Sequence, residues 1–575
     1  MEEKKLTESD GRNIRLKSWL NFILISAAMI IIALAASQVR IRLDLTEDKR
    51  YTLSDPTLEI LDRLRDDIYI QVYLDGEMPV PMKKLRRAVL EMLDEFMLAS
   101  GRKIDYSFIN PADTKDARQR EAQYLDLYNK GLYPVNIQDT DEEGGKTQKR
   151  IFPGMIINYN GIEVPVNFLK NNQSLSPEQN ILHSIEGLEY EMIQTISTLT
   201  ADTIYRIAFI EGQGELTDIE VADITYHLAK FFTIDRGAIG GKTGVIDHYA
   251  AVIIAGPSSE FSEADKLVLD QYIMNGGKVL FLVEEVSVNT DSLAFGQTVG
   301  LYRPVNLEDL LFRYGVRVNP ELIQDVDCVF RSFAVTTGAE QRQIIQAPWV
   351  YWPKLNPSAG HPITRNLNKI KGEYSNTIDT VGLDPSVKKT IILTTSGNAR
   401  TLTPPLVIRL KESEMLPDVN VFNRSKIPVA VLLEGVFTSA FKNRMTGSLT
   451  GDRNFRIRTE SVRTKMIVIG DGDIIRNDVQ KAGTSETPLI LGQDRLTGQM
   501  YGNRDFIINC MNYLVDDYGL MELRSREMKL RLLDKQRVKE EKTKWQIINI
   551  AGPVVLVLAA GAAYSYFRRR KYTRY

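Results

Sequence analysis

Two uncharged runs, one near each end of the chain, constrain this sequence more than anything between them. Residues 20–39 read LNFILISAAMIIIALAASQV and residues 547–567 read IINIAGPVVLVLAAGAAYSYF. A helix rises about 1.5 Å per residue, so either run covers a hydrocarbon core about 30 Å thick. The first run has a competing reading. Ala33-Leu34-Ala35 is an A-x-A-like cleavage triplet behind the basic residues Arg12, Arg15 and Lys17, as in a secretory signal. Its length favours a retained anchor, because the apolar region of a signal spans roughly 7 to 15 residues. The second run is bordered by Trp545, Tyr564 and Tyr566, residue types that settle at membrane interfaces, and is followed by Arg568-Arg569-Arg570-Lys571. Its small residues, among them Gly552, Ala559 and Gly561, leave room for another helix to approach closely.

Two spans put both tails on one side of a membrane and the long middle of the chain on the other. The tails carry Lys4, Lys5, Arg12, Arg15, Lys17 and the arginine cluster after residue 567, but Arg40, Arg42, Lys49 and Arg50 nearly balance them on the loop side. Charge alone leaves the orientation open. Between the spans, 43% hydrophobic and 25% charged residues describe ordinary globular folding, and 575 residues exceed one core. A net charge of −2 gives no electrostatic reason to expect nucleic acid as a partner. Cys328 and Cys510 are the two cysteines; they could pair in an oxidising compartment, but two buried thiols fit better. No CxxC or cysteine-histidine spacing suggests zinc, and no cofactor is expected.

After the first run, Ser54 or Asp55 can cap a helix with Pro56 in its first turn. Strands follow at 68–74 and 104–109, helices at 82–99 and 117–128, then strands at 154–158 and 162–168 around the hairpin signal Asn160-Gly161, and a long helix at 177–199. That order, βαβαββα, is the order of a thioredoxin-like domain without redox cysteines. From 201 to about 520 a larger α/β pattern appears, with continuous apolar strands at 205–210, 250–255, 279–283, 390–394, 429–433 and 466–469 and helices at 219–231, 263–274 and 504–515. A doubly wound or amidotransferase-like sheet is the expectation. Residues 521–544, rich in Leu, Arg, Lys and Glu, read as a helical stalk into the second span.

The candidate chemistry is sparse. Residues 237–243, GAIGGKT, miss a P-loop because Arg236 stands where its first glycine belongs, and a loop follows instead of a helix. The segment 209–215, FIEGQGE, ends a strand and precedes a helix, where an open α/β sheet receives ligands. Glu211, Gly212, Gly214 and Glu215 are therefore the ligand candidates, although a tight turn explains the glycines equally well. Asp471, Asp473 and Asp478 could supply oxygen ligands to a divalent cation, but acidic turns of this kind are common, and no metal site is expected. At the strand end where an amidotransferase-like enzyme carries its cysteine stand Glu284 and Glu285, and His183, His227, His248 and His361 pair with no nucleophile motif. The chain reads as non-enzymatic.

Several of these segments together carry a resemblance. Arg42-Leu43-Asp44-Leu45-Thr46 and Tyr51-Thr52-Leu53-Ser54 after the first span, FIEGQGE at 209–215, AVIIAGP at 251–257, DQYIMNGGK at 270–278 and the closing span are similar to the gliding-motility-associated ABC-transporter auxiliary family of the GldG type. The resemblance implies a non-catalytic subunit of the cytoplasmic membrane, partnered by a separate ABC ATPase and a multi-span permease. It implies cytoplasmic tails at 1–19 and 568–575, spans at 20–39 and 547–567, periplasmic domains at 40–200 and 201–520, and a stalk at 521–546. Two alternatives remain open: a stand-alone membrane-tethered receptor with its ligand at the Gly212-Gly214 edge, and a cryptic amidotransferase-like hydrolase.

Overall fold

The computed structural model describes residues 19–20, 22–31, 52–114, 116–140, 146–169, 175–201, 204–337, 341–382, 384–414, 420–444, 456–483, 485–494, 497–516, 518–525 and 535–572. The chain divides into two units, one gathering 1–50 with 527–575 and the other comprising Tyr51–Arg526. In the first unit the helix Lys535–Tyr572 contains the 31-residue candidate span Glu540–Arg570, within which an 18-residue stretch reaches a mean hydropathy of 2.0. It is the one helix among the described residues long and apolar enough to cross a membrane, and Ile550, Leu556 and Val557 are more than two-thirds exposed along it. At the other end, Phe22–Ile31 forms a shorter apolar helix, and residues 21 and 32–39 of the 20–39 run, like the 40–51 seam, lie outside the described residues.

The second unit begins with a helix at Asp55–Asp62, capped by Ser54 as expected. Six strands follow: β1 (Ile68–Val72), β2 (Ile104–Phe108), β3 (Val135–Thr140), β4 (Lys146–Ile151), β5 (Gly154–Tyr159) and β6 (Ile162–Asn167). Four of them form a sheet in the order β2-β1-β5-β6, with β1 parallel to β2 and the other pairs antiparallel. Asn160 (φ 51°) and Gly161 (φ 83°) make the β5–β6 turn, both in the left-handed region that a two-residue hairpin demands. The helix Val80–Ala99 buries Met82, Leu85, Val89, Leu93 and Phe96, spaced three or four apart so that one stripe faces the sheet. Strands β3 and β4 form a separate ribbon that the sequence did not announce, since neither has an apolar alternation. The single helix expected at 177–199 is instead two, Pro177–Glu186 and Leu188–Thr200, parted at Gly187.

The larger part supplies β7 (Arg206–Glu211), β8 (Thr233–Ala238), β9 (Ala251–Ala255) and β10 (Val279–Leu282). Its chain then runs through β11 (Val286–Val288), β12 (Gln297–Tyr302), β13 (Val316–Asp325), β14 (Cys328–Thr337), β15 (Gln341–Pro357), β16 (Ile370–Lys371) and β17 (Asn376–Thr380). Then come β18 (Val387–Thr394), β19 (Ala399–Leu402), β20 (Leu406–Arg409), β21 (Pro428–Gly435) and β22 (Thr464–Ile469). The main sheet has the order β14-β15-β18-β21-β22-β10-β9-β7-β8, with β16 beside β15. Strands β22, β10, β9, β7 and β8 are parallel, and from β22 outward β21, β18, β15 and β14 alternate in direction, each antiparallel to its neighbour. A doubly wound pattern therefore describes only the parallel side. The reason is the segment between β10 and β22, which returns through hairpins and two small sheets, β11-β12-β20 and β17-β13-β19, instead of helical crossovers.

The parallel strands are buried on both faces, and alternate residues divide between two cores. Ile207, Phe209, Ile253, Leu280 and Ile467 join the helix Asn503–Val515 on one face. Ala208, Val252, Ile254, Phe281 and Val468 meet the helices Glu263–Met274 and Glu308–Tyr314 on the other. The first of these cores continues without a break into the small sheet through Ile70, Ile157 and Met192. The two α/β parts thus share one core. Glu189 stitches the entering chain to it, accepting from the Ser54 amide and the Thr57 hydroxyl at 2.8 Å each, and the Tyr190 hydroxyl donates to Met521 Sδ at 2.9 Å. Leu520–Ser525 is consequently a 3-10 turn whose Leu520, Met521 and Leu523 are buried, where a stalk helix had been expected to begin. Cys328 and Cys510 are both free and buried, in different cores.

Candidate functional site

The ends of the parallel strands are where a sheet of this kind leaves room for ligands, above all where the chain order reverses. Strand β7 is followed by β8 on one side and β9 on the other, so the reversal falls at the β7 and β9 ends, beside Glu211–Glu215. Gly212 (φ 116°) and Gly214 (φ 72°) both take left-handed backbone, and a Cβ on Gly214 would stand 2.2 Å from Ser258 Oγ. The Gln213 carbonyl accepts from the amides of Ser258 and Ser259 at 2.9 Å each, and the Gly214 carbonyl accepts from the Ser258 hydroxyl at 2.8 Å. Glu211 pairs with Arg236 at 2.7 Å, and Glu215 accepts from the Gln213 amide at 2.8 Å, with burial raising its pKa. The four residues are brought together by a turn whose own packing accounts for both glycines. The neighbouring glycine turn at Gly240 and Gly241 points an amide at Asp265 Oδ1, 2.7 Å away, so an internal carboxylate sits where a P-loop would hold phosphate.

Beyond β10 and β22 lies a buried cluster of charges. Asp471 accepts from the Ser375 hydroxyl, from the Glu373 amide at 2.9 Å and from the Asp473 amide at 2.9 Å, so it staples the 373–375 loop to the end of β22. Glu284 accepts from the Gly472 amide at 2.8 Å and meets Arg303 at 3.1 Å, while Arg476 meets Asp473 at 2.8 Å and Glu373 at 3.0 Å. Burial, with the neighbouring carboxylates, pushes Asp471 and Asp473 well above the usual range, and burial also raises Glu284. Burial opposes ionisation of Glu373 too, but Lys371 and Arg476 outweigh it and lower its pKa. Glu285 is 3% exposed, and burial assisted by Glu308 lifts it to about 8. The Asp478 carbonyl accepts from the Leu489 amide at 2.8 Å. Among the described residues no group of His, Cys, Asp and Glu could hold a metal ion.

A cleft opens where the helix Leu188–Thr200 approaches the helix Asn503–Val515, as two adjoining cavities of about 360 and 310 Å³ that share Gln194, Phe231 and Asn512. Arg504 reaches across with two bonds to Asp223, at 2.8 and 2.9 Å. His227 lies 3.9 Å from the same carboxylate, and burial followed by the Arg504 charge lowers its pKa to about 4, leaving a neutral ring at neutral pH. The same two causes lower Lys230. Arg524 donates to Asn509 Oδ1 and to the Arg365 carbonyl. The remaining histidines are structural in their settings: His183 faces Glu186 at 3.3 Å, His248 lies against Tyr249, and buried His361, held to about 4 by burial, accepts from the Ile363 amide. Sequence reasoning missed the cleft because its wall comes from seven separate segments of the chain with no local motif.

The fold and its site define an α/β protein with a cleft between two helices and, among the described residues, one helix long and apolar enough to span a membrane. The chain belongs to the family described as "ABC-type uncharacterized transport system", whose sequence model matches residues 205–510, more than half of its length. A second model, of a domain of unknown function (DUF7088), matches residues 47–158. No curated protein matches the chain. Among solved structures, one titled "mmIFT52 N-terminal domain" is similar at 13% identity and a TM-score of 0.31, covering 54% of this chain and 96% of that one; a likeness of that size carries no functional argument.

Proposed function

We propose that this protein is a non-catalytic, membrane-anchored accessory subunit of an ABC transporter, working with a separate ATPase and a multi-span permease. The observation that carries the reading is the transport-family match over residues 205–510 in a chain that also holds the span Glu540–Arg570. The apolar helix at Phe22–Ile31 supports a second anchor within residues 20–39, which gives two spans, cytoplasmic tails and a periplasmic body. The strand order β2-β1-β5-β6 supports a thioredoxin-like first domain, and the parallel half of the main sheet supports an amidotransferase-like second one. Export across the cell envelope, with gliding motility as one setting, is the process this subunit serves. Its part is mechanical: movement of the permease passes through packed spans to the body, or the body presents a ligand to the permease.

A stand-alone receptor is the second reading, and the cleft is the observation in its favour. For that reading the Glu211–Glu215 turn is the alternative seat, supported by its place at the strand-order reversal. Gentle solubilisation of native membranes through a C-terminal tag separates the two. Stoichiometric recovery of an ATPase and a polytopic permease is the expected result; recovery of the chain alone in several detergents defeats the subunit reading.

A further inference from the structure

We propose that the cleft between the helices Leu188–Thr200 and Asn503–Val515 is a binding site for a small organic anion that carries a phosphate or carboxylate and, beside it, a hydroxyl or N–H donor. The proposal stands on the site itself and does not require that a transporter assemble.

The first argument is charge. Arg504 spends its bidentate interaction on Asp223, and Asp223 is thereby the partner of one cation. Lys230 lines the same cavity, and its ammonium has no hydrogen bond or ion pair among the described residues; its neighbour is the ring of Tyr226, 5.3 Å away. Arg524, also lining the cavity, gives its bonds to neutral oxygens of Asn509 and Arg365. His227 contributes no charge at neutral pH. Glu186, Glu191 and Asp505 line the same cavity, but none makes an ion pair with Lys230 or Arg524 among the described residues. These two cations, Lys230 itself exposed, therefore bring charge that no carboxylate in contact with them answers. An anion in the cavity that reaches either cation forms a charge-assisted bond, the strong kind.

The second argument is a single atom. Asn512 is 7% exposed and lines both cavities, and its Oδ1 has no hydrogen-bond partner. A buried acceptor left unmade costs about 1–3 kcal/mol, so natural structures supply a donor. A ligand with a hydroxyl or N–H a few bonds from its anionic group satisfies Asn512 while the anion meets Lys230. The cavity sizes of about 360 and 310 Å³ suit a metabolite-sized molecule.

The test uses the full-length protein in detergent, titrated calorimetrically at constant ionic strength with inorganic phosphate, sn-glycerol 3-phosphate and glycerol. Saturable binding of glycerol phosphate is expected, weaker for phosphate, absent for glycerol. Lys230→Met should weaken both anions about tenfold or more. Asn512→Leu should weaken glycerol phosphate and leave inorganic phosphate unchanged. The source of the group is read in parallel by hydrogen exchange at residues 227–231 and 504–512, in nanodiscs with and without phosphatidate. Protection by the soluble anion alone names a free metabolite, and protection only by phosphatidate names a lipid headgroup. No saturable binding and no protection in either arm overturns the site, as does equal binding by wild type and Lys230→Met. An unchanged glycerol phosphate affinity in Asn512→Leu overturns the donor half of the proposal.

Discussion

Glu285 offers the sharpest test of the physical account of the strand ends. Its backbone is pinned on both sides, the amide donating to Asn376 Oδ1 at 2.7 Å and the carbonyl accepting from the Arg303 amide at 2.8 Å. Its side chain is 3% exposed, with Glu308 nearby opposing ionisation and Arg317 favouring it. The folded protein holds the carboxyl near 8 against an ordinary value of 4.5. Each unit of difference is worth about 1.4 kcal/mol, so the whole interval amounts to roughly 5 kcal/mol. The sign follows from the direction. Because the folded pKa is raised, the stability tied to Glu285 is complete below about 4.5, declines as pH climbs, and is lost once pH passes about 8. Glu285→Gln keeps the shape and removes the titration. In chemical denaturation of the full chain in detergent, followed by tryptophan fluorescence, the variant should match wild type near the acid end. It should then gain over wild type by about 1.4 kcal/mol per pH unit up to a plateau. Taking the difference between the two proteins cancels every other titrating group. A difference curve that stays flat across that window would refute the burial argument for this residue.

Two further outcomes follow from the same geometry. Gly214→Ala must place a side chain at φ 72° and 2.2 Å from Ser258 Oγ, so it should destabilise by about 2 kcal/mol or more. Gly212→Ala, whose added Cβ meets only Ala238 Cβ at 3.4 Å, should lose less, a ranking that thermal denaturation checks. Burial raises the Cys328 thiol to about 11 and Cys510 well above its usual range, so neither should alkylate in the native protein and both should alkylate after denaturation without reductant. A denatured protein that yields no free thiol would contradict this.

The parallel centre was legible in the sequence because central strands are buried on both faces and read as unbroken apolar runs. The expected 250–255, 279–283 and 466–469 became Ala251–Ala255, Val279–Leu282 and Thr464–Ile469. The Asn160-Gly161 hairpin was legible for the same local reason, a pair of residues suited to left-handed backbone. Directions were not legible. Nothing in VLLEG or TIILT tells that β21 runs antiparallel to β22 and β18 antiparallel to β21, since that depends on the route of the 286–427 segment. The polar β3–β4 ribbon lacked any periodic signal, and the expected helix at 219–231 shortens to Ala222–Leu228 because Thr217–Val221 is spent on turns. At the Glu211–Glu215 turn the strand end and both glycines were readable, but the serines that fill it arrive from 44 residues away. The cleft was invisible: Lys230, Arg504 and Asn512 meet only through the packing of two helices and a loop remote in sequence.

The accessory-subunit reading rests most directly on what the spanning helix touches. Gly552 and Gly561 lie on that helix with open space where a Cβ would stand, which is the kind of surface another helix packs against. A photo-reactive residue placed at Gly561 in native membranes should cross-link to a polytopic permease, and the cross-link should vanish when the permease is deleted. Cross-linking only to lipid, or only to a second copy of this chain, would contradict the account.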